Sequence, residues 1–252
     1  MPKGSRGSRL SADERRLSIL AAAMPLFAQQ GFKGTTTKQI ASAANISEAL
    51  LYRHFPSKES LYSELQGLLC TKSHKYSEIV ETLEPSTSTL VNSVHFLISV
   101  VFIGEPEGSL PDPNPNHYIA RLLMHSFIED GRFARSFYET HVALWAPKWE
   151  ACVEASRASG DMVDTGVPSI CSWWFTHHIA MALKIIHLPT PPVVDYEGLN
   201  REALLNHAVR FALRGFGLKD EVIQAHHNPE MLQWFTQRLF AKPHGPAAEE
   251  QS

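Results

Sequence analysis

A chain of 252 residues with 44% apolar content is long enough to bury one large core or two modest ones. No run approaches the roughly 18 consecutive apolar residues that span a bilayer. The N-terminal stretch MPKGSRGSRLSADERR also lacks the apolar centre of a secretory signal, so a soluble cytoplasmic protein is expected, with no membrane partner. The net charge of −3 conceals a polarity along the chain: residues 1 to 60 hold nine Lys or Arg against four Asp or Glu, a net of +5, and the remainder holds 14 against 22, a net of −8. A basic head on an acidic body fits an anion-binding module attached to a part that does not bind anions.

Several classes of chemistry find no support. Cys70, Cys152 and Cys171 are odd in number and widely spaced, which suggests neither a disulfide framework nor a thiolate zinc site. The thirteen histidines include the doublets His177-His178 and His226-His227, but adjacent helical positions point about 100° apart and do not make the i, i+4 face that chelates a metal. No Ser stands in a Gly-flanked elbow, and there is no Gly-rich phosphate loop, no H-E-x-x-H and no evident carboxylate pair. Neither an enzyme nor a cofactor is expected.

Taken in order, the segments read as helix nearly throughout. Ser11 with Glu14 makes a capping box, after which Leu17, Leu20, Ala21, Met24, Phe27 and Ala28 recur at steps of three and four. Pro25 inside this helix predicts a kink, because it removes a backbone bond and crowds the carbonyl of Ala21. Gly31 predicts its end. A second capping box, Thr36 with Gln39, opens a short helix whose apolar edge is Ile40, Ala41 and Ala44. Ser47 caps a third, EALLYRHF, which stops by Phe55 because Pro56 disfavours helical geometry before it, and Ser57 caps a fourth, KESLYSELQGLL.

Only Asn45 and Ile46 separate the second helix from the third. So quick a reversal requires one residue at positive φ, and Asn is the non-glycine residue that tolerates it best. Two short helices joined by such a turn, with small residues at their crossing, form a helix-turn-helix. Leu51, Phe55 and Ile46 then face inward, which leaves Glu48, Ala49, Leu50, Arg53 and His54 outward. Arg53 and Lys58 offer charge, Tyr52 a hydroxyl, and the amides where the second helix opens at Thr36 and Thr37 offer donors to a phosphate. Base reading falls to Ser47, Glu48, Ala49, Leu50 and Arg53, since apolar side chains pack on thymine methyls and Arg forks onto guanine. A solvated amphipathic hairpin inside a helical bundle has the same spacing.

The stretch GFKGTTTKQIASAANISEALLYRHFPSKESL, residues 31 to 61, resembles the DNA-binding domain of the TetR family of bacterial transcriptional regulators. Gly31, Phe32, Thr35, Thr36, Ile40, Ala41, Ala44, Ser47, Leu51, Tyr52, Phe55, Ser57, Lys58, Glu59 and Leu61 carry that pattern. The resemblance implies a homodimer on a palindromic double-stranded operator, DNA contacts at Thr36, Lys38, Ser47, Tyr52, His54 and Lys58, and a C-terminal pocket for a small-molecule effector. Asn45 stands in place of the usual turn Gly and Ala49 in place of a frequent recognition-helix Gly, which leaves the operator sequence open. Beyond residue 65 the likeness is confined to RLLMHSFIEDGRFARSFYE and ASGDM.

After residue 80 the Pro-rich connectors at 84 to 89, 104 to 116 and 188 to 198 separate helices predicted over 88 to 103, 116 to 128, 131 to 159 with a kink at Pro147, 168 to 187, 199 to 216 and 219 to 241. The fold class is therefore all-α. It comprises a DNA-binding domain over 1 to 56, a linking helix over 57 to 70, a regulatory and dimerisation domain to 242, and a tail over 243 to 252. Trp145 and Trp149 stand i, i+4 and share a face with Tyr138 and His141 or lie close beside it, with Met124 and Phe127 as a facing wall; an aromatic stripe at this spacing is more often core than pocket, and as a pocket it suits a lipophilic or aromatic effector. Helices 168 to 187 and 199 to 216 carry the widest apolar surfaces and are the expected dimer contact, a four-helix bundle about a twofold axis. The function expected is a ligand-released repressor. An activator or architectural binder of the same fold, and a helical carrier or enzyme with a structural hairpin, are the alternatives.

Overall fold

The computed structural model describes residues 11–71, 82–104, 115–230 and 232. Among these the chain is helical apart from turns, loops and one isolated antiparallel bridge, Met162 to Leu218. The helices are α1 (Ala12–Gly34), α2 (Thr37–Ala43), α3 (Glu48–His54), α4 (Lys58–Thr71), α5 (Thr87–Ile98, extended by a π-helical turn Ser99–Ile103), α6 (Pro115–Ile128), α7 (Arg132–His141), α8 (Ala146–Ala158), α9 (Ser169–Ile186), α10 (Arg201–Phe216) and α11 (Asp220–His226). The tail over 243 to 252 and the end of the segment predicted over 219 to 241 lie outside the described residues.

Local sequence accounts for the ends of these helices. Both capping boxes form, Ser11 with Glu14 and Thr36 with Gln39. The Ser47 hydroxyl accepts from Leu50 N and the Ser57 hydroxyl from Ser60 N. Two expectations are corrected. The backbone stays helical through Pro25 and departs instead at Gly31, with φ 70 and ψ 175, where the absence of a Cβ removes the steric cost of positive φ. Thr35 Oγ1, fully buried, sits 2.8 Å from Gly31 O and 3.2 Å from Leu26 O and satisfies the carbonyls that the break exposes. The single kinked helix predicted over 131 to 159 is two helices, separated by a 3₁₀ turn at Ala143–Trp145. Pro147 falls in the first turn of α8, where its missing N–H has no acceptor to serve.

The residues divide into two units, 1–74 with 117–141 and 75–116 with 142–252. In the first, Ile19, Leu20, Phe27, Ile40, Leu51, Phe55, Leu61 and Leu65 form the core of α1 to α4, joined by Leu122, Leu123 and Phe133 of α6 and α7. The second is built around α5. Its Leu90, Val91, Val94, His95 and Ile98 are all buried along one face, and it packs against α8, α9, α10 and α11. Gly217 ends α10 at φ 95, and a Cβ there would stand 2.3 Å from Val163 O, so the close approach of the bridge segment requires glycine.

Candidate nucleic-acid interface

The hairpin of α2 and α3 is set by one residue. Asn45 adopts φ 53, as its position between the two helices predicts. The end of α2 is closed by Ala44 N to Ile40 O at 2.9 Å, Asn45 N to Ser42 O at 3.1 Å and Ile46 N to Ala41 O at 2.9 Å. Ala41 is 3% exposed, and its small side chain permits the close packing of α1 on α2. Leu51 and Phe55 anchor α3 from beneath, each buried. The opposite surface of α3 is left open: Ser47, Glu48, Ala49, Tyr52 and Arg53 are exposed, and Leu50 and His54 are half-buried.

Around this surface stand groups suited to phosphate. Thr36 and Lys38 are exposed and Thr37 half-buried at the opening of α2. The capping box consumes the Thr36 and Gln39 amides and leaves those of Thr37 and Lys38 at the open end of the helix. The Tyr52 hydroxyl donates to Thr37 Oγ1 at 3.4 Å, which ties α3 to that end. Lys58 has a second occupation that its sequence position does not reveal. Its Nζ donates to Phe32 O and Thr35 O, each at 2.8 Å, and lies 4.3 Å from the centroid of the Phe32 ring. An ammonium has three donors, so one remains for a phosphate.

Two residues that sequence reasoning missed hold the recognition helix in place. Arg16 of α1 donates through Nε to Glu64 Oε1 of α4 at 3.0 Å, through Nη2 to Glu64 Oε2, and through Nη1 to the carbonyl of His54, the last residue of α3. Its guanidinium also lies 4.4 Å over the Phe55 ring. One forked side chain thus fixes α1, α3 and α4 together. Gly31 supports the same unit: His125 of α6 packs where a Gly31 Cβ would be, Nδ1 at 3.0 Å.

The residues expected to line an effector pocket are distributed between the units: Met124, Phe127, Tyr138 and His141 in the first, Trp145 and Trp149 in the second. Phe127 is exposed and its ring stands 5.9 Å from that of Tyr138. Burial pushes the Tyr138 phenol up to about 12. His141 packs 4.2 Å from Phe137 and bonds through Nε2 to Leu69 O at 3.0 Å, so Nε2 carries the proton. Burial lowers its pKa, partly offset by that bond. Trp145 stacks on Phe96 at 5.5 Å, and Trp149 is buried against Trp173 and Phe216. The common helical face expected for Tyr138, His141, Trp145 and Trp149 is interrupted, because the 3₁₀ turn before Pro147 resets the register.

Taken together, the first unit defines a helix-turn-helix protein. Residues 19–65 match the model of the bacterial regulatory proteins of the tetR family. Over 77 residues the chain is 46% identical to the HTH-type transcriptional repressor KstR2 of Rhodococcus jostii, covering 30% of this chain and 38% of that one. It is 44% identical over 57 residues to the HTH-type transcriptional activator FasR of Mycolicibacterium smegmatis, covering 23% and 26%. The chain therefore spans less than two fifths of these relatives. A crystal structure of AibR, in complex with isovaleryl coenzyme A and operator DNA, superposes with a TM-score of 0.57 at 16% identity over 82% of this chain and all of that one, a likeness of fold. Residues 19–65 thus form a helix-turn-helix module of the kind found in the tetR family of bacterial regulatory proteins.

Proposed function

We propose that the protein is a sequence-specific DNA-binding transcriptional regulator that acts as a homodimer on a palindromic operator and is a repressor released by a small, lipophilic or aromatic effector. The observation that carries the reading is the open face of α3, where Ser47, Glu48, Ala49 and Arg53 are exposed on a helix anchored by Leu51 and Phe55. A short helix presented in this way enters a major groove, and its small and apolar side chains with one Arg supply base contacts. Thr36, Thr37, Lys38, Tyr52, His54 and Lys58 flank that face and serve the phosphates.

A partner subunit is supported by α9 and α10. Phe175 and Phe211 are 58% and 68% exposed, a heavy cost in water for two large apolar rings on adjacent helices. Two such helices from each subunit make a four-helix contact about a twofold axis. Met181, Leu204, Ala208 and Phe216 of the same two helices are instead buried within the unit. Among the described residues no helix is long and apolar enough to cross a membrane. Met124, Phe127, Tyr138, His141, Trp145 and Trp149 are the effector candidates, with AibR's isovaleryl coenzyme A as a precedent for a ligand on this fold.

The test is selection of bound duplexes from a random DNA pool by the purified protein, with its mass in solution recorded. An inverted repeat recovered by a dimer supports the reading. Recovery of no motif by a monomer reopens the carrier or enzyme alternative. An activator is the second reading, favoured by the 44% identity to FasR, and transcription in vitro from the selected operator separates it from a repressor.

A further inference from the structure

At the end of α9 a positive charge is buried without a counter-charge. Lys184, in the last turn of that helix, is 5% exposed, and among the described residues its ammonium makes no hydrogen bond and no ion pair. Its Nζ keeps an opening to solvent, unlike the indole nitrogens of Trp149 and Trp173, which are sealed. Burial first, and Arg201 second, lowers its pKa to about 8, so it is still mostly charged at pH 7. A cation withdrawn from water and left unpaired is strongly destabilising.

Arg201, the first residue of α10, brings a second cation to the same place. Its Nη2 donates to Phe102 O at 3.0 Å, and its guanidinium lies 5.0 Å from the centroid of the Phe102 ring. His187, three positions after Lys184, packs edge-on to that ring at 5.1 Å, so one fully buried phenyl fixes the end of α9 against the start of α10. Arg201 is exposed, and it too has no carboxylate partner among the described residues, although Asp195, Glu197 and Glu202 stand on the adjoining loop and turn. Burial lowers its pKa, where a carboxylate would raise it. Two neighbouring cations thus face an opening with no acid of their own.

We propose that Lys184 and Arg201 bind the carboxylate of a small organic acid, one oxygen meeting the ammonium and the other the guanidinium. Phe102 O occupies one N–H of Arg201, which leaves the rest of its fork to an incoming anion. A carboxylate is planar and carries one charge, so it matches that fork and the narrow approach to Lys184 Nζ, whereas a phosphate dianion is broader and harder to desolvate. Ile103, next to Phe102, and Leu199, two positions before Arg201, are exposed, and such apolar neighbours suit a short alkyl body on the acid. The site uses none of the effector candidates named above, so it stands independently of release from DNA.

The experiment titrates butyrate and butyramide, one shape with and without the charge, into the whole chain in the millimolar range at fixed ionic strength, with inorganic phosphate as a third probe. Calorimetry and melting temperature are the readouts. Butyrate is expected to bind saturably and at least about tenfold more tightly than either other probe, because hydrogen bonds between ionised partners are the stronger ones. Lys184→Met keeps the length of the side chain and removes the charge. It is expected to abolish the preference for butyrate and to raise the melting temperature of the ligand-free protein, since a buried unpaired charge is gone. Arg201→Gln is expected to weaken butyrate severalfold. Equal binding of butyrate and butyramide overturns the proposal, as does saturable binding by neither. Phosphate bound as tightly as butyrate overturns the choice of a carboxylate, and a Lys184→Met protein that melts earlier overturns the unpaired ammonium. The comparison of probes on the unsubstituted protein stands even if Lys184→Met fails to fold.

Discussion

The imidazoles of His95 and His227 face each other in the second unit, Nδ1 to Nε2 at 3.4 Å, and both residues are buried. One ring donates and the other accepts, so the contact requires at least one of them neutral. Burial lowers the pKa of His95 to about 4, helped by His227, and that of His227 to about 4, helped by Arg210. His177 is also lowered to about 4, by burial first and His178 second.

These three groups make the fold acid-sensitive. Their folded pKa values lie below the 6.5 of the unfolded chain, so between about pH 6.5 and 4 the unfolded state binds more protons. The stability they provide is complete above pH 6.5 and is lost as pH falls towards 4, at most about 3 kcal/mol for each group. Urea unfolding at pH 7 and pH 5 is expected to show the loss, and His95→Gln is expected to reduce it by about a third. An unchanged loss in that variant would clear the pair of this role.

Arg16 is expected to affect DNA binding without touching DNA. Its Glu64 partnership is more than a third exposed, which limits its worth through solvent screening, so Arg16→Met should cost only about 1 kcal/mol of stability. The larger effect falls on operator affinity, because the carbonyl of His54 loses its donor and α3 loses its tie to α1. A melting curve and a binding isotherm on the same variant measure both. Affinity unchanged in a variant that melts earlier would reduce the clamp to a packing role.

At the turn, Asn45→Ala should destabilise by about 1 kcal/mol, since alanine lacks the tolerance of asparagine for φ 53. Asn45→Gly should stay within about 0.5 kcal/mol of the parent, because glycine accepts the angle but loses more entropy on folding. Denaturant unfolding of the two variants ranks them. Alanine equal to asparagine would mean that the turn relaxes to another geometry.

Phosphate and base contacts should separate by variant. Tyr52→Phe or Lys58→Met is expected to weaken binding to every duplex, and Lys58→Met to reduce the salt slope by about one. Lys58→Met should also lower stability, because two carbonyls lose their donor. Arg53→Ala or Leu50→Ala is expected to change preference among duplexes, by about 1–3 kcal/mol at one base position for Arg53. Selection repeated with each variant tests the division, and identical motifs from all four would abolish it.

What the sequence by itself determined is local. Ser11 with Glu14, Thr36 with Gln39, Ser47 and Asn45 each act on amides or dihedrals within four residues, so neighbours in sequence suffice to define the ends of α1 to α3 and the turn between α2 and α3. The resemblance over residues 31 to 61 belongs to the same compact stretch. Tertiary structure decided the rest. Arg16 meets Glu64 across 48 positions and His95 meets His227 across 132, and apolar periodicity assigns a face to each residue without saying which distant residue meets it. The tryptophans show the limit most clearly. An aromatic stripe at i, i+4 spacing reads as core or as pocket, and only the packing of α8 on α9 brought Trp149 to Trp173 and buried both indoles, because which distant residues meet is chosen by the whole fold.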